Sequence, residues 1–184
     1  MFEKGREHLG KEFIISDYNT EKIINIIKYL SGNGGYDNRK GIYLFGQFGV
    51  GKTTFMNILN YVFSELPPFG VDGRRLNLNG FGSISIEKII EHHKSHGNID
   101  KFIQKRNLCI HEFGKKVNEK IYGTDANSII EALFMLRYEL YQDGYLTHVT
   151  GNYHPSEVIM PDIIKSRMVE MFNFIEFKGK SFRI

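Results

Sequence analysis

The stretch that decides how this chain is read is GIYLFGQFGVGKTTFMNIL, Gly41 to Leu59. Four apolar residues, Ile42 to Phe45, run into the glycine-rich octet Gly46-Gln47-Phe48-Gly49-Val50-Gly51-Lys52-Thr53, and an apolar-periodic segment follows. The octet satisfies G-x-x-x-x-G-K-[ST] at every required position, and it sits between a strand pattern and a helix pattern, which is the context the motif demands. Glycines at this spacing let the backbone N–H groups of Phe48, Gly49, Val50, Gly51, Lys52 and Thr53 converge on a phosphate chain, helped by the positive end of the helix that begins there. Lys52 then neutralises the β- and γ-phosphates, and the Thr53 hydroxyl is offered to Mg²⁺. The implied guest is a nucleotide.

Working outward, the pattern alternates strands with helices. A helix is predicted over Asn19–Leu30, followed by the turn-rich connection Ser31 to Gly41. The helix after the glycine loop runs over Thr53–Glu65 and is stopped by Pro67 and Pro68. A strand is expected near Arg75–Leu78, then a helix over Ile84–His96 capped by Ser83 or Ser85. NLCIHEFG, Asn107 to Gly114, reads as a short apolar strand. The longest helix covers Asp125–Gln142, with Ile129, Leu133, Leu136 and Leu140 at helical spacing and Gly144 closing it. Tyr145–Asn152 is a strand, Asp162–Phe172 a helix and Phe172–Phe177 the last strand. Such alternation predicts an α/β domain with a parallel sheet, right-handed crossovers and a ligand at the carboxyl ends of the strands. Gly46, Glu112 and Asn152 all fall at such ends, so residues far apart in sequence are expected at one site.

Composition narrows the class. A chain of 184 residues with 41% hydrophobic content builds one well-buried domain. No window approaches a membrane span and the opening MFEKGREHLGKEF lacks the apolar centre of a signal peptide, so a cytoplasmic protein without a membrane partner is expected. The single cysteine, Cys109, excludes an intrachain disulfide and lies in an apolar run that reads as core. A formal charge of +3 is too small to argue for nucleic acid by itself. The 14% aromatic content offers rings for stacking on single-stranded DNA, but most sit at periodic, core-type positions. His92 and His96 lie one helical turn apart, a zinc-compatible spacing; without a third ligand they read as a polar helix face.

Four segments taken in order, KGIYLFGQFGVGKTTF, CIHEFG, YGTDANSIIEALFMLRYELYQDGYLTHVTGN and SRMVEMFNFIEFKGKSFR, resemble the ATPase domain of DnaC-type helicase loaders and the related IstB-type transposition helpers, members of the AAA+ class. The resemblance covers about residues 39 to 183. It implies a three-layer P-loop NTPase of the AAA+/ASCE type with a five-stranded parallel sheet and no C-terminal lid domain, over residues 39–184, with residues 1–38 as a helical extension packed on the core. It implies ATP and Mg²⁺ as cofactors, with Gly46 to Thr54 as the Walker A loop and Glu112 in the Walker B segment as a metal and catalytic carboxylate. Asn152 is then the sensor of the γ-phosphate, and Arg167 the arginine inserted into a neighbouring subunit's site. A guanidinium suits that task because its charge is permanent and its fork meets phosphate oxygens in two places. The implied protein is a homo-oligomer acting on a replicative helicase or a transposase, with single-stranded DNA as a further partner. Read alone, Asn152 is equally a turn residue before Pro155; the plainer readings of Arg167 as an exposed helical arginine and of Glu112 as a polar strand terminus carry less weight.

The sequence also departs from that family's pattern. The family places two acidic residues at the end of the Walker B strand, and here the first is His111. Neutral imidazole has one lone pair and no charge, whereas Mg²⁺ takes hard oxygen ligands, so His111 is a poor substitute. A one-residue slip would turn Glu112 to the opposite face of the strand, so it does not simply fill the vacancy. The expectation is weak hydrolysis, with tolerance of a softer metal or a nucleotide switch without turnover as alternatives. Ile163 stands where family members often carry a second arginine, four residues before Arg167. A small-molecule kinase would need an acceptor pocket and an arginine-bearing lid, and the sequence offers no candidate for either.

Overall fold

The computed structural model describes residues 17–30, 34–65, 80–114, 120–121 and 124–181. The expected strand near Arg75–Leu78 and the helix stop at Pro67 and Pro68 lie outside them. Helix α1 (Asp17–Leu30) precedes strand β1 (Gly41–Phe45) and helix α2 (Lys52–Glu65). Strand β2 (Gly82–Ser85) leads directly into α3 (Ile86–His96), and a single-turn helix, α4 (Asp100–Ile103), precedes β3 (Asn107–Phe113). Two short antiparallel strands, β4 (Lys120–Ile121) and β5 (Thr124–Asp125), introduce the long helix α5 (Ala126–Tyr141). Strand β6 (Leu146–Gly151), a 3₁₀ turn at Pro155–Glu157, helix α6 (Asp162–Met171) and strand β7 (Phe172–Glu176) complete the order.

The five-stranded sheet is parallel throughout, in the order β2-β3-β6-β1-β7. Alternation along each strand divides the core into two layers. Ile42, Leu44, Cys109 and Ile175 face α1 and α2, where they meet Ile23, Ile26, Tyr29, Phe55, Ile58 and Leu59. Tyr43, Leu108, Ile110, Val149 and Phe172 face the opposite way, onto α3, α5 and α6. Helices on both faces of a parallel sheet make the three-layer α/β architecture that the strand–helix alternation predicts. Helix α1 is also pinned at its start: the Asn19 side chain donates to Lys178 O at 2.8 Å and accepts from Lys178 N at 3.0 Å.

Two expectations require correction. The fifth strand is Gly82–Ser85, where the helix had been expected to begin at Ile84; Ile84 lies in the strand, and Ser85, one of the two anticipated caps, accepts from Lys88 N. The physical reason is brevity, because Ile84 fits both a two-residue strand alternation and the helical spacing of Ile86, Ile89 and Ile90. In α5 the buried stripe runs through Ile129, Ile130, Leu133, Phe134 and Arg137, while Leu136 is exposed and Leu140 half-buried. Asp125 is the cap of that helix rather than its first residue, accepting from Asn127 N at 2.9 Å. Gly144, with φ 78°, follows the helix as anticipated and donates to Tyr141 O at 3.0 Å.

Candidate nucleotide site

The carboxyl end of β1 opens into a loop whose shape depends on glycine. Gly46, Gly49 and Gly51 have φ of 139°, 85° and 87°, a region that side chains with a Cβ rarely occupy. At Gly46 space forbids a side chain as well, since a Cβ would lie 2.1 Å from Phe177 O, while one on Gly49 would lie 2.1 Å from Ser181 Oγ and force that side chain to move. Val50 is buried in the α1/α2 layer and anchors the loop from beneath, whereas Phe48 is exposed at its tip. The first helical bond, Phe55 N to Gly51 O at 2.8 Å, starts α2 beneath the loop. Thr53 lies exposed in the first turn and Thr54 is half-buried.

Lys52 is sunk into this loop at 8% exposure. Its ammonium donates to Gly46 O at 2.7 Å, to Gln47 O at 2.8 Å and to Asn152 Oδ1 at 3.1 Å. Asn152 comes from the end of β6, a hundred positions further along the chain, and parallel pairing of β1 with β6 brings it there. The lysine and the asparagine singled out in the sequence therefore meet, around a loop whose N–H groups remain at a helix start.

The neighbouring strand end is built differently. His111 is 7% exposed and lies on the α1/α2 side of β3. Its Nε2 is 2.5 Å from Ser83 Oγ, its Nδ1 is 3.0 Å from Thr150 Oγ1, and Cys109 Sγ lies 4.0 Å from the same Nδ1. Burial pushes its pKa down to about 4, so the ring is neutral at ordinary pH. Cys109 is fully buried and burial raises its thiol pKa, which suits the inert core role expected of it. The β3–β6 register then slips: Ile110 pairs with Val149, but Phe113 pairs with Gly151. Glu112 is the extra residue of this bulge, exposed, with a left-handed φ of 62°. The bulge returns Phe113 to the same core layer as Leu108 and Ile110, and it removes Glu112 from the strand's alternation. Glu112 joins no hydrogen bond or ion pair among the described residues.

The residues at this strand end do not fit an anchored divalent ion. The position taken in the pattern by a carboxylate holds an imidazole with both nitrogens engaged by hydroxyls, and no group of three His, Cys, Asp or Glu suited to a metal occurs among the described residues. His92 and His96 stack with ring centroids 4.0 Å apart on an exposed helix face, again without a third ligand. Arg167 is half-buried. Its Nη1 lies 2.8 Å from Met135 Sδ, and its guanidinium sits 4.6 Å from the centre of the Tyr138 ring.

No family model matches this sequence, and no curated protein matches it significantly. Solved structures do resemble it. The DnaC helicase loader superposes with a TM-score of 0.63 at 16% identity, over 90% of this chain and 94% of that one. A putative primosome component from Streptococcus pyogenes gives 0.65 at 14% identity, over 93% and 85%. The fold is that of a DnaC-type AAA+ domain. AMPPCP-bound DnaA from Aquifex aeolicus is similar too, with a TM-score of 0.61 at 16% identity over 90% of this chain, although the chain spans only 48% of that protein. The domain follows the three-layer, five-stranded plan expected from the sequence. No helix among its described residues is long and apolar enough to cross a membrane.

Sequence reasoning missed Arg137. This side chain is fully buried, donating from Nε to Thr147 Oγ1 at 2.9 Å, from Nη1 to Ile103 O at 2.8 Å and to Lys105 O, and from Nη2 to Leu146 O at 2.6 Å. The signal was present, because Ile130, Leu133, Phe134 and Arg137 follow the i, i+3, i+4, i+7 spacing of a buried stripe. A cavity of about 200 Å³, lined by Phe113, Ile130, Val158 and Met160, lies on the α3/α5 side of the sheet, and no residue of the loop from Gly46 to Thr54 lines it.

Proposed function

We propose that this domain binds ATP in the cradle from Gly46 to Thr54 and hydrolyses it slowly, acting as a homo-oligomer on a replicative helicase or on DNA. The observation that carries this reading is the convergence of the Lys52 ammonium with Gly46 O, Gln47 O and Asn152 Oδ1 at the carboxyl ends of β1 and β6. Carbonyl oxygens satisfy the buried ammonium until phosphate oxygens replace them, and ionic acceptors make the stronger hydrogen bonds. Asn152, released from Lys52, turns its amide toward the γ-phosphate or the attacking water. Glu112 is the carboxylate available to orient that water, and Arg167 leaves Met135 and Tyr138 to reach a neighbouring subunit's phosphates. Thr53, in the first turn of α2, would offer a hydroxyl oxygen to a Mg²⁺ ion bound to the nucleotide's phosphates.

The structural neighbours support the replication setting: they include a helicase loader, and a DnaA bound to AMPPCP and single-stranded DNA. In this reading residues 39–184 form the ATPase domain and residues 1–38 an extension that packs on it, as the burial of Ile23, Ile26 and Tyr29 against β1 and α2 favours. A transposase is the alternative partner, and sedimentation with helicase or transposase in ATP and in ADP separates the two. The wiring of His111 favours a second reading, in which the domain is a nucleotide-gated assembly module without turnover. Phosphate release from the wild type, Lys52→Ala and His111→Asp decides between them. Wild-type release above the Lys52→Ala level supports the slow ATPase. Release at that level, with activity gained by His111→Asp, supports the switch.

A further inference from the structure

An anchored Mg²⁺ needs hard, anionic oxygen at the end of β3, and the structure has spent that position otherwise. In either neutral tautomer of His111, one ring nitrogen donates and the other accepts. Ser83 Oγ at 2.5 Å and Thr150 Oγ1 at 3.0 Å take both roles, because a hydroxyl donates or accepts as required. No lone pair of the ring is left for an ion, soft or hard. The adjacent carboxylate gives no substitute, since the bulge sets Glu112 outside the alternation that places Cys109 and His111 on the α1/α2 side. The groups that remain for a triphosphate are the Lys52 ammonium and the N–H donors of the loop. These act on phosphate oxygens directly, and they attract ATP without its ion at least as strongly as ATP carrying one.

We propose that this domain binds ATP with little dependence on a divalent cation, because the hydroxyl–imidazole–hydroxyl chain Ser83–His111–Thr150 occupies the place of an ion-anchoring carboxylate. The proposal rests on the reading of Gly46 to Thr54 as an ATP cradle. It identifies the ligand as the triphosphate itself, with any ion carried by phosphate oxygens, water and the Thr53 hydroxyl.

The test is an equilibrium titration of the full chain with a fluorescent ATP analogue, once with excess Mg²⁺ and once in metal-free buffer with EDTA. Dissociation constants within about threefold of each other are expected for the wild type, since the one Thr53 hydroxyl, with no carboxylate behind it, gives the ion little differential contact and so shifts the equilibrium little. Tightening by Mg²⁺ of more than about tenfold overturns the inference and leaves the cradle reading intact, because binding itself has been seen. Absence of binding in both buffers takes down the cradle and the inference together. In folded His111→Asp, verified by circular dichroism, the Mg²⁺ effect grows to about tenfold or more, as a carboxylate is restored beside the phosphates. A folded variant that stays insensitive to Mg²⁺ removes His111 as the cause. The wild-type titration decides the main point even if the variant does not fold.

Discussion

Lys52 and Arg137 are both cations sunk into this domain, and their surroundings separate the proposed binding group from a structural one. Lys52 sits at the carboxyl end of the sheet, held by two carbonyls of a glycine loop and by the amide of Asn152. Arg137 lies at the amino end of β6, where carbonyls of the α4–β3 connection and of Leu146 surround it with the Thr147 hydroxyl. The first set of acceptors belongs to the glycine loop at the carboxyl end of the sheet, the proposed cradle. The second belongs to the junction of two packed elements, fully buried, with no carboxylate to pair against among the described residues. Burial lowers the Arg137 pKa to about 10, which leaves the guanidinium charged at neutral pH. A buried cation surrounded by oxygens is thus no sign of a site until the mobility of its acceptors is considered.

The largest effect expected from this contrast is on folding. Arg137→Leu strands three backbone carbonyls and the Thr147 hydroxyl, so urea unfolding should show a loss of about 3–5 kcal/mol. A loss under 1 kcal/mol would mean that water replaces the guanidinium, and the contrast with Lys52 would fail. Lys52→Ala should do the opposite, weakening ATP binding by about 2–4 kcal/mol in calorimetry while changing the unfolding midpoint far less. Unchanged affinity would break the assignment of the loop.

Acid sharpens the comparison. His148 is buried beside Ile42 N, which donates to its Nδ1 at 3.1 Å; burial first, and then the Arg137 charge, push its pKa down to about 3. With His111 near 4, both histidines bind a proton more readily unfolded than folded. Their contribution to stability is therefore complete above the unfolded value of about 6.5 and drains away as pH falls toward 4 and then 3, at up to about 1.4 kcal/mol per pH unit for each histidine. Urea midpoints that stay flat from pH 7 to 4.5 would contradict this. The smallest effect concerns strain at the end of β3. Glu112→Gly relieves a left-handed φ and should raise stability by about 0.5–1 kcal/mol, readable in the same urea titration. A destabilised variant would show that the Glu112 side chain makes contacts that matter more than its backbone.

Much of this could be read from the chain. The glycine loop, the strand before it and the helix after it follow from local rules, because φ above zero selects glycine and a phosphate cradle needs a helix start. The strong periodic elements fell close to their expected bounds: Asp125–Gln142 became Ala126–Tyr141, and Asp162–Phe172 became Asp162–Met171. Strand β2 was not legible, since four residues carry too little alternation to outweigh the helical spacing that continues through them. Arg137 was overlooked because arginine on a helix is read as solvent-facing, although it stood on the apolar stripe.

What the amino-acid order determined by itself was the parallel α/β plan, the glycine-rich loop and a histidine, His111, where the family that the chain resembles carries a carboxylate, since these depend on residue identity and short-range spacing. Only the tertiary structure decided that Asn152 meets Lys52, that Ser83 and Thr150 engage both nitrogens of His111, and that a bulge carries Glu112 out of line. Those outcomes depend on which strands lie side by side and in what register, and register is settled by packing across the whole sheet rather than by any one strand's sequence.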